Sequence, residues 1–170
     1  MDDRSWERHA NGWNMWTRFA SLPFLFLACW SHVWIGPWAA AAAISAIALW
    51  IWVNPRLFPP PSRSDGWQAK AIYGERVWLN RAKVPIPVRH VKIAFGLTVL
   101  AGIGFLVGLS GAVMNNLWVM LAGGAVAYAG KVCFLHRMVR LYQDMKDKDP
   151  IYRSWMRVPD NDNRKRARAA

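Results

Sequence analysis

Charged side chains are missing from two long stretches of this 170-residue chain. No Asp, Glu, Lys or Arg occurs in the 37 residues from Phe19 to Pro55, nor in the 38 residues from Ile93 to Gly130. Uncharged apolar runs longer than about 18 residues are typical of membrane-spanning helices. All 22 basic residues lie outside the two runs, so the net charge of +12 is not spread as on a soluble nucleic-acid-binding fold. The sequence therefore predicts an integral membrane protein.

Cysteines and catalytic motifs are equally scarce. Cys29 and Cys133 are the only cysteines, and their spacing supports neither a disulfide nor a metal site. The chain contains no HExxH, GxSxG, P-loop or CxxC pattern. Because no carboxylate lies within either uncharged run, a proton or cation path through the spans is not expected. From these absences we predict no catalytic residues, no metal site and no enzymatic activity.

Each uncharged run is too long for a single crossing. One helix over residues 19–55 would be about 55 Å long, whereas the hydrocarbon core of a bilayer is about 30 Å thick. Residues 31–37 should break the first run, and Asn115 with Asn116 suits a turn in the second. We predict an all-α membrane protein built from two helical hairpins, with short re-entrant helices as the alternative for the first. Its four transmembrane helices would span about residues 17–34, 38–53, 93–112 and 117–136.

Tryptophan is abundant, with 12 residues, and it favours the membrane–water boundary. Trp6, Trp13 and Trp16 recur at near-helical spacing, which predicts an amphipathic interfacial helix at the N-terminus, with an irregular arm anchored by tryptophan as the alternative. A second amphipathic helix is predicted in the central loop, residues 54–92. Its apolar face would lie on lipid or dock another protein. The residues of that face are Trp67, Ala71, Gly74 and Trp78.

The basic residues fall in three segments of the chain. Three precede the first uncharged run, eight lie between the runs and eleven follow the second. With four spans these segments share one side, which the positive-inside rule assigns to the cytoplasm. We therefore predict a multi-pass protein of the bacterial inner (cytoplasmic) membrane with both termini cytoplasmic. Residues 1–150 would form one four-helix transmembrane domain, and residues 151–170 a basic, flexible tail.

Small and aromatic side chains are the candidate contact residues. Gly104 and Gly108 form a GxxxG pair, which lets two helices approach closely in a membrane. Other integral membrane subunits and anionic lipids are the predicted partners, and no specific nucleic acid is expected. The predicted partner- or lipid-contacting residues are Trp6, Trp13, Trp16, Trp67, Glu75, Arg76, Trp78, Arg81, Gly104 and Gly108.

His32 is the candidate cofactor ligand. It lies at the non-cytoplasmic end of the first predicted span, and no second histidine lies at its depth to complete a bis-histidine haem site. A chlorophyll-type magnesium would need only this one imidazole. We predict no cofactor other than bound lipid, with a pigment at His32 as the alternative. On the cytoplasmic side, the acid–base candidates are Glu7, His9, Glu75 and Arg76.

Four segments resemble a known family. They are residues 6–18 (WERHANGWNMWTR), 54–60 (NPRLFPP), 74–81 (GERVWLNR) and 131–138 (KVCFLHRM). Together they are similar to a family of small prokaryotic membrane proteins classed as a domain of unknown function. The resemblance covers about residues 4–145 and implies a four-span architecture and no assigned activity. All four segments lie on the predicted cytoplasmic side.

Two functions from different classes follow from these patterns. The leading hypothesis is a non-catalytic accessory subunit of a larger bacterial membrane protein complex, held by small-residue transmembrane faces and a Trp-rich cytoplasmic face. The alternative is a small membrane-embedded enzyme or a lipid- or pigment-binding protein of chlorophyll or haem type. Nucleic-acid binding by the tail is the weakest option, because its basic residues have no aromatic residues between them.

Overall fold

Helices are the only regular elements in the part of the chain that the structure describes. The computed structural model describes residues 3–61 and 63–156. The helices are α1 (Asp3–His9), α2 (Gly12–Trp30), α3 (His32–Leu57), α4 (Trp67–Leu79), α5 (Val88–Val113), α6 (Leu117–Met145) and α7 (Pro150–Ser154). The all-α class predicted from the sequence is therefore confirmed.

The α5–α6 hairpin is held by direct contact between two backbones. Asn115 takes a positive φ of 55° in the turn, and the Asn116 side chain accepts the Val119 N–H to cap α6. A Cβ on Gly104 would lie 2.5 Å from the backbone nitrogen of Ala127, and one on Gly123 would overlap the backbone of Gly108. Only glycine allows the helices to come this close.

This contact corrects the assignment of Gly104 and Gly108 to a partner interface. Both glycines are buried against α6 of their own chain, so they offer no surface to another subunit. The GxxxG spacing correctly indicated close helix packing, but the neighbouring helix is the next one along the sequence.

The α2–α3 hairpin turns where the sequence predicts a break. Within α3, Gly36 has φ 80° and ψ 163°, a conformation that is essentially restricted to glycine, and Pro37 follows it. At the other end of the hairpin, the Asn54 side-chain amide donates to the Thr17 hydroxyl at 2.8 Å. The end of α3 therefore lies beside the start of α2, and the two helices run antiparallel.

Within residues 3–61 and 63–156, three helices are long and apolar enough to cross a membrane, namely α3, α5 and α6. Helix α2 is not among them. It has 19 residues and includes Asn14, Arg18 and the kink-prone Pro23, which lower its mean hydropathy. The membrane character of the chain is thus supported by three candidate spans, one fewer than the sequence predicts.

Helix α4 packs directly on α6. This contact corrects the prediction that the apolar face of α4 lies on lipid or docks another protein. Ala71 and Val77 are fully buried, together with Met138 and Leu141 of α6. A Cβ on Gly74 would overlap the backbone carbonyl of Met138, so the two helices also touch at the backbone. Trp67 and Trp78 are half-buried at the margin of the same core.

The segment after α6 is also packed. Tyr152 is buried, and the Tyr142 hydroxyl donates to the Tyr152 carbonyl oxygen at 2.9 Å. The Trp155 ring lies 4.9 Å from that of Tyr152. Residues 151–156 therefore belong to the domain, and the predicted boundary at 150 is too early because aromatic burial continues past it. Residues 157–170 of the predicted tail lie outside the described part.

The glycine contact between α5 and α6 gives a testable substitution. We expect Gly123→Ala to lower the unfolding free energy by about 1–3 kcal/mol, because its new methyl group meets backbone that cannot move aside. Gly102→Ala is the matched control, since a Cβ there meets nothing within 4 Å. Thermal unfolding in mild detergent measures both. Equal unfolding temperatures for the two variants would contradict the contact.

Candidate functional site

A cavity of about 400 Å³ lies among α1, α2, α3, α4 and α6. Most of its wall is hydrocarbon. The apolar lining residues are Met15, Phe19, Leu22, Ile51, Ile72, Leu79, Ala127 and Leu135. A cavity of this size and composition falls in the range of small-molecule sites in proteins, which are mostly apolar with a few polar groups.

Polar side chains lie on the cavity's lining as well. Arg18 and Lys131 supply two cations, whereas Glu75 supplies the one carboxylate among the described lining residues. The other polar or amphipathic residues are Trp6, His9 and Tyr128. With His9 neutral, the lining carries an excess of one positive charge, so an anionic group is favoured there over a cationic one.

The Asn11 side chain ties two elements of the cavity together. Its side-chain oxygen accepts the Trp13 N–H at 2.9 Å and caps α2. Its side-chain amide donates to the Pro59 carbonyl oxygen at 3.0 Å. A single residue thus fixes the α1–α2 corner to the chain that leaves α3.

Tyr128 provides the corresponding tie between α2 and α6. Its hydroxyl donates to the Phe19 carbonyl oxygen at 2.6 Å, and the two rings lie 5.9 Å apart. Further along α6, the Lys131 ammonium lies 4.9 Å from the centre of the Phe134 ring. Lys131 and the Tyr128 ring therefore lie on the same side of α6, where both line the cavity.

The four segments that carry the family resemblance meet around this cavity. Residues 6–18 and 74–81 both line it, and residues 131–138 contribute Lys131 and Leu135. Residues 54–60 adjoin it through the bond between Asn11 and Pro59. Segments that are far apart in the sequence thus converge at one end of the molecule.

One family model matches most of the chain. A family of unknown function, DUF6653, matches residues 1–159. The chain belongs to that family. No curated protein and no solved structure matches it. The resemblance noted in the sequence is confirmed, and the family carries no activity that could be transferred to the cavity.

The structure separates the predicted contact residues into distinct environments. Trp6 and Glu75 line the cavity, and His9 joins them. Trp13 and Trp16 are 73% and 52% exposed and point away from the core. The predicted acid–base candidate Glu7 does not line the cavity.

Arg76 and Arg81 are held by aromatic rings. The Arg76 guanidinium carbon lies 4.0 Å from the centre of the Trp155 ring and 5.9 Å from that of Trp6. The Arg81 guanidinium carbon lies 4.3 Å from the centre of the Trp78 ring. The Arg76 contacts join α4 to α1 and to the segment after α7, whereas the Arg81 contact is local to the end of α4. Cation–π contacts are typically worth about 0.5–1 kcal/mol at exposed sites. Beside them, burial and then the Asp149 carboxylate raise the pKa of Tyr152, against the effect of Arg76.

His32 lies apart from the cavity. Its Nδ1 is 2.8 Å from the Cys29 carbonyl oxygen, one turn back along the chain. Among the described residues, no group of three His, Cys, Asp or Glu side chains could hold a metal ion. The pigment at His32 stays a prediction.

Arg18, Tyr128 and Lys131 line the cavity but were not among the site residues predicted from the sequence. Arg18 immediately precedes the first uncharged run, and Lys131 immediately follows the second. A cation at the edge of a span is normally assigned to the lipid surface. The signal was therefore present in the sequence, but only the packing of α2 against α6 shows that these two edges face one cavity.

The Asn11 tie yields a second prediction. We expect Asn11→Ala to cost about 1 kcal/mol through the lost cap and to accelerate amide hydrogen exchange in residues 3–16. Asn116→Ala is the control, because it removes the cap of α6 at the far end of the molecule. It should leave exchange in residues 3–16 unchanged. Identical exchange patterns in the two variants would mean that Asn11 does not hold the corner.

Proposed function

We propose that this protein is a four-span protein of the bacterial inner membrane that binds an amphiphile with an anionic head in the cavity beneath α1 and α4. The observation that carries the proposal is the position of Arg18 and Lys131. Both cations line an apolar-walled cavity, and both mark the exact residue at which an uncharged run meets charged sequence.

The antiparallel packing of α2 and α3 supports four spans. One hydrogen bond joins Asn54, in the last turn of α3, to Thr17 of α2, and another joins Asn11, just before α2, to Pro59, just after α3. If α3 crosses the bilayer, α2 must then run back beside it. The bend at Gly36 would lie at the opposite surface. The distribution of basic residues favours the cytoplasm for the segment before the first uncharged run, for the central loop and for the carboxyl end.

The shape of the cavity supports an amphiphile over a soluble ligand. Its apolar wall would bury part of an acyl chain, at about 25 cal/mol per Å² of apolar surface removed from water. An anionic head would lie between Arg18 and Lys131, whose charges a carboxylate or phosphate would offset. Glu75 can accept a hydrogen bond from a hydroxyl group on the same head.

Filling the cavity tests this proposal. We expect Leu79→Trp to abolish most binding of a fluorescent phosphatidylglycerol to the full chain in mild detergent, because Leu79 lines the cavity and is exposed enough to be enlarged without unfolding α4. Leu57→Trp is the control, since Leu57 is similarly exposed but lies outside the cavity. Binding that survives in Leu79→Trp as in Leu57→Trp would refute the proposal.

A charge substitution tests the head-group part separately. Arg18→Gln with Lys131→Gln should weaken phosphatidylglycerol binding by at least about fivefold, from the usual contribution of a basic residue near an anionic lipid. Arg56→Gln with Lys83→Gln removes the same charge from exposed positions outside the cavity. Equal losses in the two pairs would assign the effect to general surface charge.

An accessory subunit remains the second candidate, and one observation favours it. Only 6% of the most apolar 18-residue stretch of α3 is buried within the chain. Trp38 and Trp52 on this helix are 89% and 61% exposed. The run Ala39–Ala43 would let a partner helix approach this face. A photo-crosslinker at Ala42 should then yield one defined membrane-protein adduct, whereas one at Val99 of α5 should react with lipid. Lipid adducts at both positions would contradict this candidate.

A further inference from the structure

Three arginines converge where α5 begins and α6 leaves its uncharged run. Arg89 lies in the first turn of α5, and Arg137 and Arg140 lie one turn apart on α6. They line a cavity of about 330 Å³ together with Pro87, His90, Gln143 and Asp144. None of these residues lines the cavity proposed for the amphiphile.

The cluster has an excess of positive charge. Asp144 is the one acidic residue on this lining, and its carboxylate lies 2.9 Å from His90 Nε2, which donates to it. Within the described residues, neither Arg89, Arg137 nor Arg140 forms an ion pair. Like charges brought together in this way repel one another, so the arrangement favours the binding of an anion.

A buried donor in the cluster lacks an acceptor. The Nε–H group of Arg137 is out of contact with solvent and makes no hydrogen bond in the described structure. A buried N–H group is normally paired, and an unpaired one on an otherwise partly exposed arginine marks a position where an acceptor is expected. The one carboxylate of the lining, that of Asp144, is already hydrogen-bonded to the buried His90 ring.

We propose that Arg89, Arg137 and Arg140 form a phosphate-binding site at the membrane surface. Planar guanidinium groups bind phosphate oxygens with paired, charge-assisted hydrogen bonds, which suits a cluster of arginines better than one of lysines. The first turn of α5 adds backbone N–H groups and the positive end of a 26-residue helix. Lys92 and Ile93 mark the start of the uncharged run one turn later, so the site lies at the depth of lipid head groups.

The phosphate has two possible sources, a phospholipid head group or free inorganic phosphate, and one experiment distinguishes them. Binding of phosphatidylglycerol and of inorganic phosphate to the full chain in mild detergent is measured separately, by native mass spectrometry and by calorimetry. Displacement of the lipid by inorganic phosphate assigns the site to the phosphate group itself. Retention of the lipid at saturating inorganic phosphate, measured in Leu79→Trp so that the amphiphile cavity does not contribute, assigns it to the phospholipid, whose chains then add to the affinity.

The test variant is Arg137→Gln with Arg140→Gln. This variant should weaken binding of inorganic phosphate by at least about fivefold, given the usual effect of removing basic residues near an anionic head group. Lys83→Gln with Lys148→Gln is the charge-matched control, at exposed positions outside the cluster. Arg89→Gln alone should give a smaller loss of binding. Because Arg89 is exposed and lies on α5, this variant leaves α6 unsubstituted and separates lost binding from misfolding of α6.

The outcome is independent of the amphiphile cavity. Leu79→Trp should leave inorganic phosphate binding unchanged, so failure of one site does not hide success at the other. Binding in Arg137→Gln with Arg140→Gln that equals the unsubstituted protein, or an equal loss in the lysine control, would overturn the proposal.

Discussion

Backbone-to-backbone contact along α6 is the constraint on which the rest of the structure depends. At Gly123 the backbone of α6 contacts Gly108 of α5. Further along the same helix, the backbone at Met138 contacts Gly74 of α4. Both contacts exclude any side chain, so they fix the depth and the angle of the neighbouring helices. Helix α6 therefore positions the second hairpin and the α4 layer together, and through Tyr128 it also holds α2.

The two candidate sites follow from this arrangement. Helix α6 extends beyond its uncharged run, and α4 and α5 meet it there from different sides. On one side, Lys131 faces the corner formed by α1 and α2 and closes an apolar cavity. On another, Arg137 and Arg140 face the first turn of α5 and form a cationic one. Both sites lie where the helix passes from uncharged to charged sequence, which is where lipid head groups would be found.

Local sequence patterns predicted the features that depend on neighbouring residues. The bend at Gly36 and the turn at Asn115–Asn116 fall where the polar and glycine residues interrupt the uncharged runs. Features that depend on long-range packing were not predictable in this way. The face of α4 with Gly74 was predicted to lie on lipid or to dock another protein, and nothing in its spacing identifies Met138 of the same chain as its neighbour. The cavity cations Arg18 and Lys131 are 113 positions apart in the sequence, and only the fold brings them to one site.

The two-hairpin topology determines the side of the membrane on which each connection lies. Single cysteines at Val33, Lys83, Met114 and Lys148, all exposed positions, can be introduced with Cys29 and Cys133 replaced by serine. A membrane-impermeant maleimide applied to intact spheroplasts should label positions 33 and 114 and spare 83 and 148, and inverted vesicles should give the reverse. Labelling of 83 and 148 from opposite sides, or of 33 and 83 from the same side, would contradict the two-hairpin arrangement.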